Sequence, residues 1–255
     1  SERPARSDRP DPCAGLLRMD YFLIDGIAPF FTPCDLCSEQ NWSKVPFRAL
    51  ERDGGLNPEA VARVETAFEG FCARVAGLGF NAITLDVVAH LVSLEYYPSE
   101  LNAKIAQYRD WYCRLFAIAA GHGLKVFLTT DVLFMNRYLA KAIRNRPSRI
   151  PRLCIRILRD VLKRFDTVEG IVLQIGESDG MDVRDDFVSE LLIKTPRQLR
   201  RLLKTLLPLF ERYGRTLVLR TWTLGAYPVG DLMWNRDTWD AVFSGIESEH
   251  RSEEH

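Results

Sequence analysis

The sequence predicts an α/β protein of the (β/α)8 TIM-barrel type that is incomplete, with about six strands present. Stretches with strand-like apolar patterns alternate with stretches of helical spacing, the order found in parallel sheets covered by helices. Four strand candidates start near residues 81, 125, 170 and 216, about 45 residues apart. The turn after the first strand, "IDGIAPFFTPCDLC", lacks the glycine pattern of an open nucleotide-binding sheet. These observations favour a barrel over an open sheet.

The strand candidates are apolar runs with few interruptions, typical of strands buried on both faces of a sheet. We expect parallel strands near 21–26, 82–87, 126–131, 170–176 and 216–222, with the intervening helices packed outside. The sequence runs that carry them are "YFLIDGIAPFF" (21–31), "NAITLDVVAH" (81–90), "KVFLTTDVLF" (125–134), "GIVLQIGE" (170–177) and "TLVLRTWT" (216–223), with a weaker sixth strand in "WDAVFSGI" (239–246).

The segments between these runs carry signals for the starts and ends of helices. In the first, Asn57 is the predicted cap, Pro58 lies in the first turn and Gly77 ends the helix. Ser99 is the predicted cap of the second helix, and Pro151 the first residue of the third. In the fourth, Thr195 is the cap, Pro196 the first residue and Gly214 the terminator.

Charge and composition exclude several classes of protein. Lys plus Arg and Asp plus Glu both number 34, which argues against nucleic-acid or membrane-surface partners because both need a basic excess. No apolar run approaches the roughly 18 residues of a membrane span, and the first residues have no signal-peptide pattern. We predict a disordered tail over 1–18, a partial barrel domain over 19–246 and a charged tail over 247–255.

The cysteines predict neither a metal site nor a disulfide framework. Cys34 and Cys37 have metal-ligand spacing, but the four histidines supply no second pair of ligands for zinc. Cys72, Cys113 and Cys154 lie in helical patterns among apolar residues, where a free thiol behaves as a small hydrophobe. A reduced, cytoplasmic protein without a cofactor fits this usage best.

Polar residues follow the predicted strands, and in a barrel the chemistry lies at the carboxyl ends of strands. Carboxylates there can carry out acid–base work on a glycosidic bond, and an aromatic ring can stack on a sugar. We expect Asp86, Asp131, Glu177, Arg220 and Trp222 to line one cavity. The residues at the strand ends are Asp25; Asp86 and His90; Thr129, Thr130 and Asp131; Glu177 and Asp179; and Arg220 and Trp222.

Residues 56–235 resemble the barrel domain of the α-glucuronidases, family 67 of the glycoside hydrolases. "GFNAITLD" matches a "GxNxxxxxN" strand of that family, and "GLKVFLTTD" matches its "G(I/L)KVYLS" strand. "GIVLQIGESDG" resembles "GFLVKANSEG", and "LVLRTWTLG" resembles "VMWRAFVY". The resemblance lies in order and local pattern more than in identity.

The resemblance implies a carbohydrate substrate, glucuronate-containing in that family, and a general acid at the end of the fourth strand. That role falls on Glu177, or on Asp179 if the motif is slipped so that "SDG" meets "SEG". Arg220 matches an arginine that helps to hold the glucuronate, while Gln174 lies near the position of a family lysine. The family's catalytic base comes from later strands that have no counterpart here.

Two alternatives to a hydrolase remain open from the sequence. One is a metal-dependent sugar enzyme that uses the acids of "ESDGMDVRDD", namely Glu177, Asp179, Asp182, Asp185 and Asp186. The other is a non-catalytic carbohydrate-binding barrel that has kept the strand ends and lost the base.

Overall fold

A computed structural model describes residues 21–25, 45–143, 146–175, 186–221, 229–230, 232–246 and 251–254. Six of the strands in this part of the chain form one sheet in the order β1-β4-β5-β7-β9-β10, and every neighbouring pair is parallel. In chain order the strands are β1 (Leu23–Ile24), β2 (Glu51–Arg52), β3 (Gly55–Leu56), β4 (Ala82–Leu85), β5 (Lys125–Asp131), β6 (Phe134–Met135), β7 (Val168–Gln174), β8 (Val188–Ser189), β9 (Thr216–Arg220) and β10 (Arg251–Glu254).

Helices connect successive strands of the central sheet, and two short antiparallel ladders, β2–β3 and β6–β8, lie outside it. The parallel pairing of the five predicted strands is confirmed. The helices are α1 (Phe47–Leu50), α2 (Pro58–Gly77), α3 (Ser99–Gly121), α4 (Arg137–Ile143), α5 (Ile150–Arg164), α6 (Pro196–Tyr213) and α7 (Arg236–Phe243).

The predicted helix signals are confirmed at α2 and α6 and shifted at α3 and α5. Asn57 Oδ1 accepts a hydrogen bond from the Glu59 amide at 3.2 Å, and Gly77 is the last residue of α2. Thr195 and Gln198 form a reciprocal capping box at the start of α6, and Gly214 in the left-handed conformation follows its last residue. Ser99 is the first residue of α3 rather than its cap, and α5 begins one residue before Pro151.

The predicted sixth strand at 239–246 is wrong, because Arg236–Phe243 forms α7. Asn235 caps this helix, its Oδ1 accepting from the amides of Asp237 and Thr238 at 2.9 and 3.2 Å. The sixth strand of the sheet is β10, which pairs in parallel with β9 from Arg251 opposite Leu217 onward. The segment predicted as a charged tail therefore supplies an edge strand.

The sheet curls into an open barrel, an incomplete (β/α)8 barrel. Three strands separate β1 from β9, which in a flat sheet would hold them about 19 Å apart. Instead, the hydroxyl oxygens of Tyr21 and Thr216 lie 3.3 Å apart, and Arg220 donates a hydrogen bond to Asp25. Both contacts join residues of the first and fifth strands of the sheet, at opposite ends of those strands. The first and fifth strands therefore face each other across the barrel interior.

The outer face of the sheet carries the large hydrophobic core. Ile83, Leu128, Ile171 and Leu217 are buried there together with the apolar faces of α2, α3, α5 and α6. No helix within the described ranges is long and apolar enough to cross a membrane.

The cysteine predictions are confirmed for two of the three helical positions. Cys72 and Cys154 are free and buried, and burial raises the pKa of each thiol to about 12. Cys113 is a free thiol but is exposed, so its predicted place among apolar residues is wrong.

A polar cluster lies at the amino end of the barrel. The register between β5 and β7 shifts between Val126 and Phe127, leaving Glu169 as an extra residue on β7. Its carboxylate accepts from the Tyr21 hydroxyl at 2.5 Å and from Lys125 Nζ at 3.2 Å. Burial alone would raise the pKa of Glu169, but the hydrogen bonds from Tyr21 and Lys125 outweigh it, so the pKa is lowered below its ordinary value.

This lowered pKa predicts how stability depends on pH. A carboxyl group with a lower pKa in the folded chain stabilises it above the unfolded-state pKa of about 4.3, and the contribution is lost as the pH falls through the folded pKa. We expect Glu169→Gln to be less stable than the parent at pH 7, with the gap narrowing below about pH 4. Urea unfolding of the parent and of the Glu169→Gln variant between these pH values measures the difference in their free energies of unfolding. A gap that is the same at every pH would contradict the assignment.

Candidate functional site

Side chains on a strand alternate between its two faces, so the strand register shows which of them point into the barrel. Ala82, Phe127 and Val172 are fully buried on the inner face, and Leu23 and Val218 pack against them as an apolar floor. The next inward positions towards the carboxyl ends of the strands are all polar. This set, called the polar layer below, consists of Asp25, Thr84, Asp86, Thr129, Asp131, Gln174 and Arg220.

Asp25 links three strands of the barrel at this end. One of its carboxylate oxygens accepts from the Thr84 hydroxyl and the other from the Arg220 guanidinium. The side chains of Arg220 and Asp25 are only 15% and 25% exposed, so water screens this ion pair less than it would a surface pair. Arg220 is therefore fixed in the barrel mouth by a residue of the first strand.

Asp86 forms a second acid–hydroxyl pair. Its Oδ1 accepts from Thr129 Oγ1 at 2.5 Å, and the residue is only 8% exposed. Its backbone carbonyl accepts a hydrogen bond from the buried Tyr112 hydroxyl of α3. Asp86 is thus held from both its side chain and its main chain.

Asp131 and Gln174 lie side by side at the ends of β5 and β7. They are register partners, and the Val132 amide donates to the Gln174 carbonyl at 3.1 Å, which extends the pairing beyond the strand ends. Both residues are partly exposed, although Asp131 Oδ1 itself is buried. The pair therefore adds a carboxylate and an amide to the polar layer at a place that solvent reaches.

The structure places four of the predicted site residues at the same end of the sheet. Asp86, Asp131, Gln174 and Arg220 all belong to the polar layer, at the carboxyl ends of four strands. Glu177, Asp179 and Trp222 lie outside the described residues, as do Asp182 and Asp185 of the metal alternative. The roles assigned to all these side chains stay predictions.

Two other residues singled out in the sequence have different surroundings. His90 is 1% exposed and stacks on Phe47, with 3.7 Å between ring centroids, so it belongs to the packed core. Asp186 forms an ion pair with Lys104, whose Nζ also donates to Glu51 at 2.7 Å. Among the residues that the structure describes, no group of three or more His, Cys, Asp or Glu side chains could hold a metal ion.

Sequence reasoning missed Thr84, which holds the carboxylate of Asp25. The signal that would have found it is the two-residue alternation of β4, since Asp86 points inward and Thr84 precedes it by two positions. The contact itself has no sequence signal, because 59 residues separate the two partners.

Comparison with known proteins gives similar folds only at low identity. No protein-family model matches the chain, and no curated protein matches it. Similar solved structures include a GH138 enzyme targeting pectin rhamnogalacturonan II, with 16% identity, a TM-score of 0.48, and coverage of 78% of this chain and 23% of that one. A hyperthermophilic endo-β-1,4-glucanase has 12% identity and a TM-score of 0.44, with 72% and 51% covered.

A third similar structure is the β-galactosidase from the psychrophilic Marinomonas ef1, with 13% identity and a TM-score of 0.43 over 61% of this chain and 35% of that one. The chain thus spans from about a quarter to about half of the length of these proteins. At such identities the likeness concerns the fold, which the strand order and register of this chain establish by themselves.

Proposed function

We propose that the polar layer binds a carbohydrate and that the chain carries a glycoside hydrolase-like site. The observation that supports this is the set of carboxylates, hydroxyls, an amide and a guanidinium on the inner face of the barrel, above an apolar floor. Barrels of this type hold their active sites at this end. Sugar hydroxyls both donate and accept hydrogen bonds, so they suit a site that offers fixed acceptors beside fixed donors.

The charges of the polar layer favour a neutral sugar over a uronic acid. Asp25, Asp86 and Asp131 place three carboxylates beside the single guanidinium of Arg220, and Arg220 already binds Asp25. A carboxylate ligand would have to compete with Asp25 and approach two further acids, which like-charge repulsion opposes. The α-glucuronidases that the sequence resembles have a lysine near this position. Gln174 stands there in this chain and adds no positive charge.

In catalysis, Glu177 is the general acid. This assignment rests on the match of "GIVLQIGESDG" to the α-glucuronidase strand, since Glu177 ends the predicted fourth strand. A general acid protonates the oxygen of the leaving group as the glycosidic bond breaks. Asp179 is the alternative if the motif is slipped.

Sugar binding should depend on the charge of Asp86. In Asp86→Asn the shape is kept and the Thr129 hydroxyl can still donate to the amide oxygen, but the acceptor loses its charge. Hydrogen bonds to charged groups contribute about 1.5–3 kcal/mol, so we expect an affinity loss of roughly 10- to 100-fold. Isothermal titration calorimetry measures the affinities of the parent and the variant. The ligands are methyl glycosides of glucose, galactose, mannose and xylose, and oligosaccharides built from them.

Glu169→Gln is the matched control, because Glu169 is a carboxylate at the amino end of the same barrel. It should leave the affinity for any of these sugars unchanged. Equal losses in both variants would locate the effect in folding rather than in the polar layer. If the parent chain bound and hydrolysed none of these sugars, the proposed function would be wrong, and binding without turnover would support the non-catalytic alternative.

A further inference from the structure

The outward sides of α5 and α6 carry a dense group of positive charges. Each of these two helices contains five Lys or Arg residues and one carboxylate. The whole chain has equal numbers of basic and acidic residues, so this excess is local to one side of the barrel. A net charge of zero therefore conceals a strongly basic surface.

The exposed cations recur every three or four residues on both helices, opposite the side that packs into the core. This spacing places the side chains of one helix in a single stripe along its axis. At a rise of 1.5 Å per residue, the stripe on α5 is about 16 Å long and the stripe on α6 about 10 Å. The stripes consist of Arg152, Arg156, Arg159 and Lys163 on α5, and of Arg197, Arg201 and Lys204 on α6.

The two stripes run side by side. The helices α5 and α6 pack against each other and precede β7 and β9, which are parallel neighbours in the sheet. The axes of packed helices are about 8–10 Å apart, so the stripes form one surface, called the cationic face below. Helices that connect parallel strands run opposite to them, so α5 and α6 begin at the polar-layer end of the barrel. Arg152 and Arg197, in the first turns, are nearest to that end.

Most of the cationic face has no carboxylate partner. Within the ranges that the structure describes, Arg156 is its only member in an ion pair, with Glu95 at 3.1 Å. By contrast, Arg200, which lies outside the stripe of α6, donates to the Val242 carbonyl at 3.2 Å. Like charges three or four residues apart destabilise a helix. A surface that keeps such charges uncompensated is suited to a partner that supplies the negative charge.

We propose that the cationic face binds an acidic polysaccharide, a chain of sugars that carry carboxylates. Five of its seven cations are arginines, whose planar guanidinium fits a carboxylate with two parallel hydrogen bonds. A linear polymer can place its repeated charges against successive cations of a stripe. The inference rests on the proposed function: the polar layer takes neutral sugar units of the polymer, and the cationic face holds its acidic units.

Other anionic partners fit this face less well. Single-stranded nucleic acids bind where aromatic rings between the cations stack on the bases. Helices that bind anionic membranes place large apolar or aromatic side chains beside their cations. The exposed positions of α5 and α6 are polar or charged apart from Pro208, so they supply neither kind of contact.

Arg159→Gln combined with Arg201→Gln tests the proposal, since it removes one exposed charge from each stripe. We expect the affinity for polygalacturonate to fall roughly 10-fold at low salt, because each exposed ion pair contributes modestly. Added salt should weaken the binding of the parent, since it screens exposed charges. Calorimetry with polygalacturonate, and with dextran as an uncharged polymer, measures both effects. The affinity for the methyl glycosides and the thermal midpoint should not fall.

Arg63→Gln combined with Arg74→Gln is the matched control. It removes the same charge from exposed positions of α2, which precedes β4, two strands away from β7 in the sheet. Polygalacturonate affinity should survive this change. An equal loss in the control, or equal binding of dextran and polygalacturonate by the parent, would overturn the cationic face as the site. Tighter binding of a short DNA duplex or of vesicles containing phosphatidylserine would overturn the polysaccharide as the partner.

The same measurements separate this inference from the proposed function. If the parent binds the methyl glycosides but not polygalacturonate, the inference is overturned and the proposed function stands. If polygalacturonate binds and the Arg159 and Arg201 variant weakens it, while the parent neither binds nor hydrolyses any neutral sugar, the proposed function is overturned and the cationic face stands.

Discussion

Gly170→Ala is expected to lower the stability of the chain by about 3 kcal/mol, near the upper end of the usual cost of overpacking. A Cβ atom at this position would lie 2.2 Å from the Thr216 carbonyl oxygen and 2.7 Å from Cε1 of Phe127. The Thr216 oxygen belongs to the backbone of β9, so it cannot move without disturbing the strand pairing. The Phe127 ring belongs to the apolar floor, so it cannot move without disturbing that packing. Urea unfolding of the two proteins measures the difference.

Gly70→Ala is the control for this prediction. Gly70 lies inside α2, and a Cβ atom there would meet nothing within 4 Å. Alanine in a helix interior is more favourable than glycine by about 0.5–1 kcal/mol, so this variant should be more stable than the parent. If Gly170→Ala were tolerated equally well, the close packing of β5, β7 and β9 inside the barrel would be wrong.

Glu177→Gln is expected to lower the hydrolysis of substrates with poor leaving groups by about 10²–10⁴-fold. Glutamine keeps the shape of the side chain but has no proton to transfer, and such substrates need protonation while the bond breaks. Activated aryl glycosides need little help, so their turnover should fall far less. Comparing the rate constants for the two substrate types in parent and variant gives the result.

Asp179→Asn is the control, because the two single variants decide which of these two carboxylates, two residues apart, is the general acid. A loss confined to Asp179→Asn would move the general acid to Asp179. A uniform loss on both substrate types in Glu177→Gln would indicate a role in binding and contradict the acid assignment.

Local sequence signals predicted most of the central sheet. Five parallel strands follow from apolar runs, and the cap at Thr195 follows from residue types that bond within one helical turn. Both signals depend on neighbours in the chain, and so a single sequence contains them. The sequence also predicts that the polar residues after these strands lie at one end of the barrel, because parallel strands joined by helices all end at the same edge.

The sixth strand shows where local patterns fail. "WDAVFSGI" has enough apolar residues for a strand, but the Asn235 cap starts a helix there. β10, with the sequence "RSEE", has no apolar pattern, yet its backbone pairs with β9. Backbone hydrogen bonds can form whatever the side chains are, so this pairing leaves no pattern in the sequence.

By itself, then, the sequence determined the class of the fold and which polar residues end its strands. Only the tertiary structure decided which of them meet. Arg220 pairs with Asp25 across 195 residues, and the bulge in β7 aligns Glu169 with Tyr21 and Lys125. The physical reason is that the curl and stagger of the barrel bring distant strands together, and no local pattern encodes the distance between them.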